Sequence, residues 1–147
     1  MYHIIINIHV FLSTVCLIIS IVLIYSLLQG LRKQAKYNRY FLHMENAFIL
    51  LLYSGLILGI ILYFFLDSDK LKLINYIQAE KNMNLRFWAV EHFSFMLIAL
   101  FFAQIGKIFT IKPIGDTFKF KYALFYYGVA TFTSYLSTGL YLINKLL

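Results

Sequence analysis

The residues that could do chemistry in this chain lie inside stretches that are otherwise apolar. Residues 86–100 read RFWAVEHFSFMLIAL, so Glu91 and His92 are adjacent near the start of one such stretch. His9 lies near the start of an earlier apolar stretch, and Glu45 lies in a third. A charged side chain at the centre of a membrane-spanning helix costs about 2.5–3.5 kcal/mol, so ionisable residues in such helices are candidates for function.

Four apolar stretches are long enough to hold these residues in membrane-spanning helices. A hydrocarbon core about 30 Å thick is crossed by roughly 20 helical residues, and the predicted helices cover residues 4–28, 40–66, 87–109 and 122–146. Because 62% of the residues are apolar and 19% are aromatic, the composition is typical of a multi-pass membrane protein. We predict an all-α fold, a single integral membrane domain built as a four-helix bundle with up-down-up-down topology.

The basic residues predict how this bundle is oriented. The connections after helices 1 and 3, together with Lys107 at the end of helix 3, hold eight Lys and Arg, against five in the rest of the chain. The positive-inside rule therefore predicts a bacterial inner-membrane protein with both termini outside the cytoplasm. The net charge of +7 does not indicate a nucleic-acid partner, because the basic residues flank apolar spans instead of forming a groove interleaved with aromatic residues. The first stretch lacks a preceding Lys or Arg and a small-x-small cleavage pattern, so we expect it to remain as helix 1.

Small and polar residues recur at helical spacing on one face of three predicted helices. Such faces normally point into a membrane bundle, where they allow close approach and hydrogen bonding. Gly55 and Gly59 form a GxxxG pair on helix 2 with the same meaning. The three stripes are His9, Ser13, Cys16 and Ser20; His92, Met96, Ala99, Ala103 and Gly106; and Tyr127, Thr131, Ser134, Thr138 and Tyr141.

His9 and His92 are predicted to lie at the same depth on inward faces. Each lies about five residues into its helix, and thus about 8 Å below the outer face at a rise of 1.5 Å per residue. Two neutral imidazoles on facing helices are the axial ligands that a haem b takes. Arg86 at the outer interface could pair with a haem propionate, and Glu91 or a hydroxyl such as Ser13 could orient a ligating histidine.

Two other interpretations use the same residues. Histidines near helix ends commonly reach to the membrane interface, and the pair would then be structural. Alternatively, Glu91 and His92 at one end and Glu45 with His43 at the other would handle protons. For Glu45 the plainest role is to neutralise a basic loop residue such as Arg39.

The segment RFWAVEHFSFMLIALFFAQIG, from Arg86 to Gly106, resembles the third helix of a family of small membrane proteins. These are four-helix proteins of bacteroidete type, described as cytochrome b-like, with the motif RFWxVEH. The sequences INIH, ending at His9, and GLILGIILYF, from Gly55 to Phe64, are also similar. The resemblance implies a four-helix membrane fold that binds haem b.

This chain departs from the family pattern at positions that bear on haem binding. The family tends to show a His-x-His pair in helix 1, where this chain has Asn7, and a histidine in helix 2, where it has Tyr53. Family Gly and Arg-Trp positions in helix 1 are replaced by Phe11 and by the Ser13-Thr14 dipeptide. If the family holds haem through the helix 2 histidine, only His9 and His92 remain as a ligand pair here.

These observations predict a small cytochrome b-like electron-transfer protein or redox subunit with one haem b between helices 1 and 3. Its expected site residues are His9, His92, Arg86 and Glu91, and its expected partners are a quinol or other membrane redox subunits. The alternative is a haem-free structural or accessory subunit of a larger membrane complex. The chain lacks CxxCH, HExxH, P-loop, GxSxG and GxGxxG motifs, so an electron carrier or subunit is favoured over a stand-alone enzyme. The spans contain no proline, and unbroken helices disfavour a transporter.

Overall fold

The computed structural model describes residues 2–64 and 87–146, in which every regular element is helical. Helix α1 covers Tyr2–Arg32, α2 covers Arg39–Phe64, α3 covers Phe93–Ile111 and α4 covers Asp116–Leu146; the π-helical turn Phe87–His92 leads directly into α3. The predicted all-helical fold is confirmed for these residues. The predicted site residue Arg86 lies outside the described residues.

Three of the described helical stretches are long and apolar enough to cross a membrane: Ile4–Arg32, Arg39–Leu62 and Val90–Ile111. Helix α4 is not among them, because its sequence is rich in Tyr, Thr and Ser as well as apolar residues. It also begins at Asp116, six residues before the predicted start, with that carboxylate in its first turn. An acidic residue is favourable there because it faces the positive end of the helix dipole. Length and composition therefore support three spans among the described helices, where the sequence predicted four.

The helices contact one another in a closed cycle. Helix α1 packs on α2, α2 on α3, α3 on α4, and α4 back on α1. Helices α1 and α3 are thus not neighbours in the cycle, and they face each other across its interior. The buried positions recur at alternating spacings of three and four, which is the seam of closely packed helices in a bundle. They include Cys16, Ser20, Leu23, Leu27 and Gly30 on α1, and Phe120, Ala123, Tyr127, Ala130, Ser134 and Ser137 on α4.

The predicted inward faces are confirmed on α1 and α3, where Cys16, Ser20 and Ala99 are buried. On α4 the prediction is right for Ser134 but wrong for Thr138, which is exposed. Both stripes alternate spacings of three and four, but the packed seam takes them in the opposite order and so passes through Ala130 and Ser137 instead of Thr131 and Thr138.

The linker between α1 and α2, residues 33–38, is stabilised at both of its ends. Helix α1 ends at Arg32, and Gln34 just after it has a φ of 49°, the left-handed conformation of a Schellman motif. The N–H of Gln34 donates to the carbonyl of Leu31 at 3.2 Å, and that of Ala35 donates to the carbonyl of Gly30 at 3.0 Å. At the other end, the N–H of Tyr40 donates to Oδ1 of Asn38 at 3.0 Å, which caps α2.

Aromatic rings close this end of the bundle over Gly30. The ring centres of Phe41 and Phe120 are 4.9 Å apart at 89°, and those of Tyr37 and Phe120 are 4.8 Å apart. Edge-to-face pairs in this range are favourable beyond the area they bury. A Cβ atom on Gly30 would lie 2.6 Å from Cζ of Phe120 and 3.0 Å from Cζ of Phe41. The close approach of α1 to these rings therefore requires glycine.

Replacing Gly30 by alanine is expected to destabilise the fold by about 1–3 kcal/mol, since the added methyl group overpacks a buried aromatic cluster. Gly128→Ala is the matched control, because a Cβ there would meet nothing within 4 Å and alanine is the better helix former. Thermal unfolding in detergent, followed by circular dichroism, should show a lower Tm for Gly30→Ala only. Equal Tm values for the two variants would contradict this packing.

Candidate functional site

His9 and His92 lie against each other inside the bundle. Their ring centres are 6.3 Å apart and the ring planes meet at 79°. His9 is on α1 and His92 ends the turn before α3, so the two residues meet across the cycle of helices. Both side chains are half-buried. The structure brings together the pair that sequence spacing singled out, and their role as haem ligands stays a prediction.

His92 is held by a hydroxyl on α4. Its Nδ1 atom lies 2.8 Å from Oγ of Ser137, a residue with no exposed surface. Sequence reasoning named Glu91 or Ser13 as the orienting group and missed Ser137. The signal that could have found it is the seam spacing on α4, in which Ser137 follows Ser134 by three residues. Glu91 itself is half-buried and adjoins His92 at the end of the π-helical turn.

The His9 ring is surrounded by the glycines of α2. Its Nδ1 atom is buried and has no hydrogen-bond partner among the described residues, while the backbone of Gly55 lies near the ring. A Cβ atom on Gly59 would lie 3.7 Å from Cε1 of His9. The GxxxG pair of α2 therefore lies beside α1 within this chain.

Tyr53, at the position where the resembling family tends to have histidine, takes no part in this pair. Its side chain is 41% exposed, and its hydroxyl oxygen accepts a hydrogen bond from Nε2 of Gln104 at 2.9 Å. The described part of α2 therefore offers glycines, and not a third histidine, to the site.

A second polar centre is built around Glu45, whose side chain has no exposed surface. The Tyr37 hydroxyl donates to Oε1 of Glu45. Oε2 accepts from Oγ1 of Thr110 at 2.9 Å and from Nζ of Lys107 at 3.2 Å. The buried hydroxyl of Tyr127 also lies close enough to interact with this carboxylate.

The prediction that Glu45 neutralises Arg39 is wrong, because the ion pair is with Lys107 on α3. Glu45 belongs to the inward face of α2, at seam spacing from Phe41 and Phe48, whereas Arg39 is exposed. A buried carboxylate is tolerated when opposite charge and hydrogen bonds compensate for its lost hydration. This centre satisfies that requirement.

The Glu45 centre and the histidine pair lie at different ends of α2. Gly59, which packs beside His9, follows Glu45 by 14 residues, which is about 20 Å along a helix. His43, which the proton-handling interpretation placed with Glu45, is exposed. The described residues thus contain two separate polar centres. Glu45 stabilises the packing of helices at the end of the bundle away from the histidines.

Removing the charge of Glu45 is expected to destabilise the fold by about 2 kcal/mol, since a charge-assisted hydrogen bond contributes roughly 1.5–3 kcal/mol. Glu45→Gln leaves Lys107 without its carboxylate, so adding Lys107→Met should recover part of the loss. Unfolding of the single and double variants in detergent measures this coupling. A double variant no more stable than Glu45→Gln would contradict the ion pair.

Tyr37 is expected to make the stability depend on pH in alkaline solution. Burial, and secondly the Glu45 carboxylate, raise the pKa of its hydroxyl above the ordinary value of 10.0. The folded chain keeps a proton that the unfolded chain loses near pH 10, so the stabilisation is complete below about pH 10 and is lost as the pH rises further.

The difference in Tm between the parent protein and Tyr37→Phe should therefore be smaller at about pH 11 than at about pH 8. Tyr40→Phe is the control, because Tyr40 is 54% exposed. The difference in Tm between this variant and the parent protein should be the same at both pH values. A difference for Tyr37→Phe that does not change with pH would show that the hydroxyl is not held by the carboxylate.

Comparison of the chain with protein-family models, with curated proteins and with solved structures gives no match. The resemblance carried by RFWAVEH is therefore a prediction from sequence. A functional assignment has to rest on the geometry of His9, His92 and their neighbours.

Proposed function

We propose that this chain is a small membrane electron-transfer protein or redox subunit that holds one haem b between His9 and His92. The observation that carries the proposal is the contact of these two histidines across the bundle, with ring centres 6.3 Å apart. In the proposed arrangement the helices cross the membrane up-down-up-down, with both termini outside the cytoplasm.

Contacts between distant parts of the chain support alternating helix directions. The start of α1 packs on the end of α2, at His9 and Gly59. The start of α2 is joined to the end of α3 by the ion pair between Glu45 and Lys107. A helix whose start meets the end of its neighbour runs antiparallel to it, as in an up-down bundle.

The ring separation suits two ligands of one metal ion. Imidazole nitrogens that bind an ion from opposite sides at about 2.0–2.1 Å place their ring centres roughly 6 Å apart. The observed separation of 6.3 Å is close to that value. Near-perpendicular ring planes are compatible with the binding of one ion by both imidazoles, because each ring can turn about its own metal–nitrogen bond.

The donor set also favours haem over a bare metal ion. Among the described residues, no group of three or more His, Cys, Asp or Glu side chains could hold a metal. Structural zinc takes four protein ligands and catalytic zinc three. Haem needs only axial ligands from the protein, and two histidines are sufficient for that.

The contact of Nδ1 of His92 with Oγ of Ser137 holds the orientation of this imidazole, as hydrogen bonds from neighbouring groups do for ligating histidines. Nδ1 of His9 is buried and has no hydrogen-bond partner among the described residues, so that Nδ1 is the atom a ligand would satisfy. A Cβ on Gly55 would meet nothing within 4 Å, so α2 leaves open space at this position.

A bound haem would supply reversible one-electron transfer, with the donor and acceptor outside this chain. The chain's own residues would hold and orient it: His9 and His92 as ligands, with Ser137 fixing one imidazole. Glu91 is proposed as a further site residue, and Arg86 is proposed to form an ion pair with a propionate. The π-helical turn that ends at His92 fits this role, since such turns occur frequently at functional sites.

The same ring separation also lies in the range of edge-to-face aromatic packing, 4.5–7 Å, so haem content is the deciding measurement. Protein purified in detergent, after expression with ample haem supply, should contain about one haem b per chain by pyridine haemochrome assay. His9→Ala and His92→Ala should each lose it, because the remaining imidazole has no partner on the other side.

His43→Ala is the matched control, because His43 is exposed at the other end of α2 and should leave haem content unchanged. Size-exclusion chromatography and circular dichroism of each variant establish that it is folded. Full haem content in either site variant would overturn the ligand assignment. A folded parent protein without haem would favour the accessory-subunit function.

A further inference from the structure

We propose that the end of the bundle with the two short linkers carries a binding site for an anionic phospholipid, centred on Lys33. This inference goes beyond electron transfer and does not depend on haem. It requires only that the chain spans a membrane.

A groove lies at this end, between the last turns of α1 and the start of α2. Its walls include Tyr25, Ser26, Gln29, Lys33 and Tyr40. The groove has a volume of about 260 Å³. Ser26 and Gln29 make no side-chain hydrogen bond to the residues that the structure describes, and the exposed wall of the groove is mainly apolar.

The groove lies in a strongly basic part of the surface. Arg32, Lys33, Lys36 and Arg39 are all exposed, and none forms an ion pair within the described parts of the chain. The acidic residue nearest in sequence is Glu45, which is fully buried and paired with Lys107. An uncompensated group of cations beside a membrane attracts anionic lipid headgroups.

Cations of the second linker add to the same end. Nζ of Lys119 lies 5.9 Å from the ring centre of Tyr37, which places the start of α4 beside the α1–α2 linker. Lys112 and Lys121 are exposed in this region, against the single acid Asp116. The positive potential therefore covers the whole end, while the groove is a defined place within it.

The lining matches a lipid better than a free anion. Tyr25 and Tyr40 are 62% and 54% exposed, and tyrosine rings prefer the headgroup level of a bilayer. Exposed apolar side chains continue from the groove along α1, at Ile18, Ile21 and Val22, where an acyl chain would lie. The phosphate would then rest against Lys33 and Gln29.

The test is native mass spectrometry of the full chain in detergent, titrated with phosphatidylglycerol or with phosphatidylcholine of the same acyl chains. We expect phosphatidylglycerol to bind about fivefold more tightly, which is the contribution of one basic residue near an anionic headgroup. Lys33→Gln should remove this preference. Lys121→Gln, which removes an equal and exposed charge outside the groove, should retain it.

Three outcomes would overturn the proposal. Equal binding of the two lipids by the parent protein would exclude headgroup recognition. Equal weakening by Lys33→Gln and Lys121→Gln would indicate diffuse charge attraction without a site. Displacement of phosphatidylglycerol by inorganic phosphate at equal concentration would show a phosphate site with no part for the lipid.

Discussion

The structure depends on the burial of one carboxylate. Glu45 has no exposed surface, and an uncompensated carboxylate in such a place is several kcal/mol less stable than in water. Its hydrogen bonds come from Tyr37 in the α1–α2 linker and from Lys107 and Thr110 on α3. The carboxylate is therefore satisfied only when the linker, α2 and α3 are in place together, which fixes the packing at this end of the bundle.

Packing at one end constrains the contacts at the other, because α2 is a continuous helix between them. Near its end α2 places Gly59 beside His9, while α4 places Ser137 beside His92. The contact between the two imidazoles thus receives contributions from all four helices. These neighbours restrict the orientation of both imidazoles, and the proposed haem site requires side chains oriented in this way.

The two ends of the bundle differ in chemistry. One end presents paired imidazoles in a half-buried setting, and the other presents exposed cations around an aromatic cluster. In a membrane, this asymmetry would place the proposed haem near one surface and the proposed lipid site at the opposite surface. Both features follow from where the polar residues lie along otherwise apolar helices.

The sequence by itself determined the helical fold, the inward faces of α1 and α3, and the matched positions of His9 and His92. These follow from apolar length and residue spacing, which act locally along the chain. Only the tertiary structure decided that Glu45 forms an ion pair with Lys107 and that Ser137 forms a hydrogen bond with His92. Those partners are 62 and 45 residues apart, and they depend on the register between packed helices, which no local pattern encodes.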